Sequence, residues 1–248
     1  MHIAAMARNL KLKVRHDTDP VVRALSRMSA HVWPPTPGSR RWLVHTELKY
    51  GDPISRIPIH AVSDQDPRTA TAKKKAQCGG DRMSSRYHGY APMYAQYLAP
   101  FIRANKEVTL AEVGILQGTG LAIWSELFPR SRLLGLDIDL VNARRNLDAL
   151  RAKGAFRHAD PELHQFDQFL DNTTYLESIL QSNKLNIVID DGVHLDEAIL
   201  ATLASAAPHL AESFVYFIED NDHVYPSVKA QYPSWNVESF GEMTVITP

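Results

Sequence analysis

The sequence predicts an α/β protein built on a doubly wound, mostly parallel sheet, and three observations carry that prediction. Short runs rich in Val, Ile and Leu recur through the second half of the chain, at Val108 to Val113, Arg132 to Ile138, Leu185 to Ile189 and Phe214 to Ile218. Runs this apolar suit strands buried on both faces. Segments with helical spacing alternate with them, the mark of strand–helix–strand units. The third observation is that each run ends in an acid: Glu112, Asp137, the pair Asp190-Asp191, and the pair Glu219-Asp220. The carboxyl ends of parallel strands face the crevice where open α/β sheets bind ligands. Several carboxylates are therefore expected to converge. Clustered carboxylates repel one another unless a positive group sits among them, and the candidates are a metal ion, a cationic ligand, or both.

The elements follow in order. Leu10, Leu12 and Val14 alternate with Lys11, Lys13 and Arg15, which predicts a short exposed strand. Pro20 to Val32 reads as a helix, and Val32 to Arg40 as a breaker-rich loop. Leu43 to Glu47 reads as another strand, and Asp64 to Gly80 as a polar segment able to act as a lid. Ala91 to Asn105 predicts a helix with Tyr94, Leu98 and Ile102 on one side, although Pro100 interrupts it. After the strand ending near Val113, a glycine turn leads to a helix carrying Leu121, Trp124 and Leu127 inward. Helices are expected at Val141 to Lys153, Thr173 to Gln181 and Leu195 to His209. A weaker strand is expected at Phe156 to His158 and around His164. Trp235 to Phe240 and Met243 to Thr247 predict a hairpin about Gly241-Glu242, adding an antiparallel strand pair at one edge.

Residues 1–80 read as an irregular, basic N-terminal extension, and residues 81–248 as the ligand-binding domain. The net charge is −1, but 16 Lys/Arg face 7 Asp/Glu in residues 1–88, while the remainder is acidic. Such asymmetry suits a basic extension lying on an acidic domain. The longest basic run, Lys73 to Lys75, has no interleaved aromatics on which bases would stack, so no nucleic-acid partner is expected. Cys78 is the sole cysteine, which excludes an internal disulfide and a thiolate metal cluster. No apolar stretch approaches the ~20 residues of a membrane span, and the first residues lack a signal-like apolar core. A cytoplasmic location is the expectation, with a homo-oligomer possible.

The segment AEVGILQGTG places an acid before the first of three glycines. Gly114 permits a tight turn, and Gly118 and Gly120 permit close approach of a ligand to the next helix. The spacing is neither a dinucleotide fingerprint nor a phosphate loop. Glu112 would repel a pyrophosphate and suits an ammonium- or sulfonium-bearing ligand instead. Asp137 follows about 20 residues later, where Rossmann-like sites use an acid to accept from ribose hydroxyls. Asp139 is read as the cap of the following helix.

Glu112 before Gly114, together with Asp137, resembles class I S-adenosylmethionine-dependent methyltransferases. GGDRMSSRYHGYAPMY (Gly79 to Tyr94), VIDDGVH and YFIED resemble motifs of metal-dependent sugar O-methyltransferases of macrolide and related pathways. HQFDQ (His164 to Gln168) resembles a further element, with Phe166 in place of a glycine; Arg82 stands in place of a lysine. The resemblance covers about residues 79–220. It implies a Rossmann-like fold, S-adenosyl-L-methionine and Mg²⁺ as cofactors, and a small-molecule or oligosaccharide acceptor. It implies Asp191, Glu219 and Asp220 as metal ligands and His194 as general base. Asp190 is expected at the methionine part of the cofactor, Asp167 and Gln168 at the adenine, and His88, Gly114 and Gly118 among the cofactor contacts. One member type that fits the size methylates the 2-hydroxyl of fucose on a Nod factor. Alternatives are a glycosyltransferase using Asp137-x-Asp139, a non-catalytic binding module, and a metal-dependent oxygenase, against which a single well-placed histidine counts.

Overall fold

The computed structural model describes residues 34–68 and 76–248, and residues 37–248 form one compact unit. The strand expected at residues 9–15 and the helix expected at residues 20–32 lie outside the described residues. Helix α1 (Arg40–Tyr50) begins at Ser39, whose hydroxyl accepts the Trp42 amide at 3.3 Å. It occupies the stretch expected to hold a strand at Leu43 to Glu47. The reason is its buried stripe, Leu43, Thr46, Glu47 and Tyr50. That spacing is helical, but two of the four residues are polar, which hides the period from an apolar count. Strands β1 (Asp52–Pro58) and β2 (Ala76–Gly79) pair antiparallel as a small separate sheet. Residues 37–68 and 76–80 are thus part of the same unit as residues 81–248, not an irregular extension of it.

The main sheet has seven strands in the order β5-β4-β3-β6-β7-β9-β8. They are β3 (Thr109–Val113), β4 (Arg132–Asp137), β5 (Glu162–Gln165), β6 (Leu185–Asp190), β7 (Leu210–Ile218), β8 (Asn236–Phe240) and β9 (Met243–Thr247). The first five pair in parallel, and the β8–β9 hairpin adds antiparallel to β7. Strand β3 is buried at every position, as expected of a central parallel strand. Of the weak strand expected near residues 156–164, only Glu162–Gln165 forms; Phe156 has φ +58° and lies outside any strand.

Helices α2 (Ala91–Ala104), α3 (Thr119–Leu127), α4 (Val141–Ala152), α5 (Thr173–Leu180), α6 (Asp196–Ala206) and α7 (Tyr225–Gln231) surround the sheet. Pro100 lies within α2 without ending it. One apolar cluster joins α1, α2 and α3 to the sheet through Leu43, Tyr94, Leu98, Trp124 and Phe217. The other joins α5, α6 and α7 through Leu180, Leu203, Val228 and Tyr216. The chain turns to opposite sides of β3, first to β4 and later to β6. That reversal places a crevice at the carboxyl ends of β3 and β6.

Gly114, just past β3, shapes this crevice. Its φ is +82°, and a Cβ there would collide with the carbonyl oxygen of Asp191. The two loops are held together, since the Asp191 amide donates to the Val113 carbonyl at 2.9 Å. Gly114→Ala is expected to cost at least about 1–3 kcal/mol from backbone conformation alone. Urea denaturation measures this, and an unchanged midpoint would contradict it.

Candidate functional site

The acids stand at the carboxyl ends of β3, β4, β6 and β7, within the last strand residues or just past them, and two cavities open among them. The first has a volume of about 300 Å³ and lies between residues 59–68 and the ends of β3, β4 and β5. Asp137, Asn142, Asp167 and Phe169 line it. The second, about 410 Å³, is bounded by β1, β2, residues 79–82, His88 and the ends of β3, β6 and β7. The two share Gly114, Asp191 and His194 in their walls.

Asp137 stands at the first cavity with its carboxylate fixed by backbone amides. Oδ2 accepts from Leu116 at 3.0 Å and Oδ1 from Asp139 at 2.9 Å. Burial raises its pKa above the usual carboxylate range despite these bonds. Asp139 accepts from Val141, the first residue of α4, and also from His60 at 2.6 Å. Asp167 Oδ2 accepts from Ser63 at 2.7 Å. Residues 60 and 63 are thereby tied across the cavity, a connection between distant segments that sequence spacing does not reveal.

Asp191, His194 and Asp220 come together at the other end of the crevice, each offering a ligand atom within 4.8 Å of the others. His194 Nε2 lies 3.9 Å from Asp191 Oδ1, and Nδ1 lies 3.2 Å from the Glu219 carbonyl oxygen. A carbonyl only accepts, so Nδ1 carries the proton and Nε2 keeps a free lone pair in the neutral ring. His194 has φ +58° and Asp220 has φ +54°. Two non-glycine residues in the left-handed region at one site mark stored backbone strain. Asn221 holds these loops together, donating to the His194 carbonyl at 3.1 Å and to Asp196 at 2.7 Å, and accepting from His223 and Val224. Asp222 and His223 themselves are exposed and pair with each other at 3.0 Å.

Several expected contacts lie elsewhere. Asp190 is buried and accepts from Gln168 at 2.7 Å and from the Tyr216 hydroxyl at 3.2 Å. Burial pushes its pKa up to about 6. Successive strand residues point to opposite faces, so Asp190 enters the interior while Asp191 enters the crevice. Gln168 reaches the first cavity wall, but its amide is committed to Asp190, Thr202 and the Val193 amide. It braces the Asp191 loop in place of a free edge for adenine. Gly118 starts α3 with φ +78° and lines neither cavity. His88, expected at the cofactor, bonds Asp220 through Nδ1 at 2.9 Å, which pushes its pKa up to about 9. Tyr90 donates to the same Asp220 oxygen at 2.6 Å. Glu219 is buried beneath the site, bonded to Tyr94 and to Arg82.

The positive group that the carboxylates require is Arg82, which sequence reasoning did not single out. Nη1 lies 2.7 Å from Glu112, Nη2 2.5 Å from Asp191 and Nε 2.9 Å from Glu219. Glu112, expected to face a ligand cation, thus faces this guanidinium and also accepts from Trp124 Nε1 at 3.1 Å. Gly120 is needed beside it, because a Cβ there would collide with the Glu112 carboxylate. The only advance signal was Arg82 at the position where the resemblance has a lysine. Thr119, at the start of α3, keeps a buried hydroxyl without a partner in the wall of the second cavity.

The chain is similar to known proteins in sequence and in fold. No family model matches the chain. It is 28% identical over 166 residues to mycinamicin VI 2''-O-methyltransferase of Micromonospora griseorubida, covering 58% of this chain and 38% of that protein. It is 25% identical over 205 residues to 8-demethyl-8-alpha-L-rhamnosyl tetracenomycin-C 2'-O-methyltransferase of Streptomyces olivaceus, covering 77% and 50% respectively. The chain therefore spans half or less of the length of these curated relatives. Among solved structures, the MycE methyltransferase of the mycinamycin biosynthetic pathway, in complex with Mg, SAH and mycinamycin VI, aligns with a TM-score of 0.52 at 18% identity. That alignment covers 66% of this chain and 50% of the other. The likeness shows a shared methyltransferase-type Rossmann-like fold.

Proposed function

We propose that this chain is an S-adenosyl-L-methionine-dependent, Mg²⁺-assisted O-methyltransferase that modifies a sugar hydroxyl of a small glycoside. The observation that carries the reading is the meeting of two cavities at Asp191 and His194, one walled by Asp137 and the other by an acid–histidine cluster. The relatives that methylate sugar hydroxyls, and a similar fold seen with Mg and SAH, support the same chemistry. A macrolide or polyketide glycoside is the coarser acceptor class; fucose on a Nod factor, methylated at its 2-hydroxyl, is a narrower candidate within the same chemistry.

The residues present fit both groups. The first cavity offers Asp137 to ribose hydroxyls and the apolar faces of Phe166 and Phe169 to a base. Asp191 and Asp220 offer the hard oxygen donors that Mg²⁺ prefers, with Glu219 as a third once freed from Arg82. When bound, the sulfonium supplies the methyl group and the divalent cation acidifies a coordinated hydroxyl. The chain does the rest. His194 Nε2 is oriented by the Glu219 carbonyl to take the hydroxyl proton. Asp220 is held by Tyr90 and His88 so that its carboxylate faces the cluster in one orientation. Residues 60 and 63, tied to Asp139 and Asp167, wall off the first cavity from water on one side.

The test is incubation of the purified chain with S-adenosylmethionine, Mg²⁺ and a panel of glycosides, read by mass spectrometry for a gain of one methyl group. A metal-dependent gain on a sugar supports the reading, and hydrolysis or consumption of nucleotide sugars in its place would favour a glycosyltransferase. Asp137→Ala is expected to weaken S-adenosylhomocysteine binding by roughly 1.5–3 kcal/mol, the value of a hydrogen bond to a charged group. Calorimetry checks this, and unaltered affinity would remove Asp137 from the nucleoside site.

A further inference from the structure

Arg82 is bonded to three carboxylates from three strand ends: Glu112 within β3, Asp191 after β6 and Glu219 after β7. Its backbone is held on both sides. The Glu47 carboxylate accepts from the Met83 amide at 2.9 Å and the Ser84 amide at 3.2 Å, and the Arg82 carbonyl accepts from Tyr90 at 3.0 Å. The guanidinium lies 5.8 Å from the centre of the Trp124 ring. Both Glu219 oxygens are engaged, one by Tyr94 and one by Arg82, and Asp191 shows one oxygen to Arg82 and the other to His194. A cation bound between these two carboxylates would lie against the positive charge of the guanidinium and share its oxygens.

We propose that Arg82 is an internal counter-ion that competes with the divalent cation for Asp191 and Glu219, and so sets how tightly this site takes its metal. The inference rests on the metal assignment made under the proposed function. Two buried carboxylates, Glu112 and Glu219, with the partly exposed Asp191 beside them, would be costly without a positive partner, so the guanidinium stabilises the site when no metal is there. Arginine does not lose its proton, so it yields only by swinging aside. The adjoining cavity of about 410 Å³ provides the room, and Glu112 gives it a carboxylate to keep. The anchored backbone confines the motion to the side chain. Trp124, which bonds Glu112 and packs by the guanidinium, is placed to report that swing.

The test compares the full chain with Arg82→Gln and Arg82→Lys by calorimetric titration with Mg²⁺ and Mn²⁺. Loss of the competitor is expected to tighten metal binding about tenfold or more in the glutamine variant. Lysine, a point charge without the planar fork, is expected to fall between. Tryptophan emission should change on adding Mg²⁺ to the wild type, and this change should be lost in Trp124→Phe. Equal or weaker metal affinity in both variants would overturn the proposal and leave Arg82 as an organiser of the carboxylates. If the glutamine variant folds only with metal, that supports competition; if it does not fold at all, the lysine variant decides. Failure of every form to bind metal would also overturn it. S-adenosylhomocysteine binding by the wild type, measured separately, shows whether the methyltransferase reading fails with it.

Discussion

Replacement of Asp191 by alanine is expected to reduce methyl transfer by about a thousandfold or more, the several kcal/mol that a bound cation contributes to charge stabilisation. Asp191 is the carboxylate shared by both cavities, and it stands between His194 and Arg82. Its loss removes a proposed metal ligand and a partner of Arg82 at once. Asp137, the residue proposed for the ribose, is held by the Leu116 and Asp139 amides and not by Asp191, so S-adenosylhomocysteine affinity should change little. Steady-state kinetics with calorimetry on the same preparation make the comparison. Activity that persists in Asp191→Ala, or in the wild type with a strong chelator, would eliminate the metal from the reaction.

The second large effect is expected at His194. A general base typically contributes about 10²–10⁴-fold, and His194→Ala should lose a rate in that range without losing metal. The backbone at this position lies in the left-handed region, where asparagine is better tolerated than most residues. His194→Asn therefore serves as the variant that keeps the loop while removing the base. The expected signature is a pH–rate profile that differs from the wild type's, because the group that takes the proton is gone. A variant that is slow but retains the wild-type pH dependence would assign His194 a positioning role.

What sequence alone revealed follows from where side chains point. Strands β3, β4, β6 and β7 were legible because burial on both faces leaves uninterrupted apolar runs. Helix α1 was not, because Thr46 and Glu47 sit in its buried stripe. Glu47 is polar there for a reason: it holds the Met83 and Ser84 amides from another segment. Strand β2 has only four residues, and β1 begins and ends near prolines, so no alternation announces them. In the site, the acids at strand ends were visible as a set, but their partners were not. Arg82 joins Glu219 across 137 positions in sequence, and no local pattern encodes such a pairing. Asp190 and Gln168 look like site residues by motif, yet each satisfies the other in the interior. The period of two at the end of β6 sends Asp190 into the interior and leaves Asp191 at the crevice.

The occupant of the crevice decides which chemistry this chain performs. Calorimetric titration of the purified chain with S-adenosylhomocysteine, with and without Mg²⁺, tests it most directly. Micromolar binding that Asp137→Ala weakens and Asp191→Ala spares is the expected result. No binding under either condition, with a nucleotide sugar binding in its place, would contradict the methyltransferase reading.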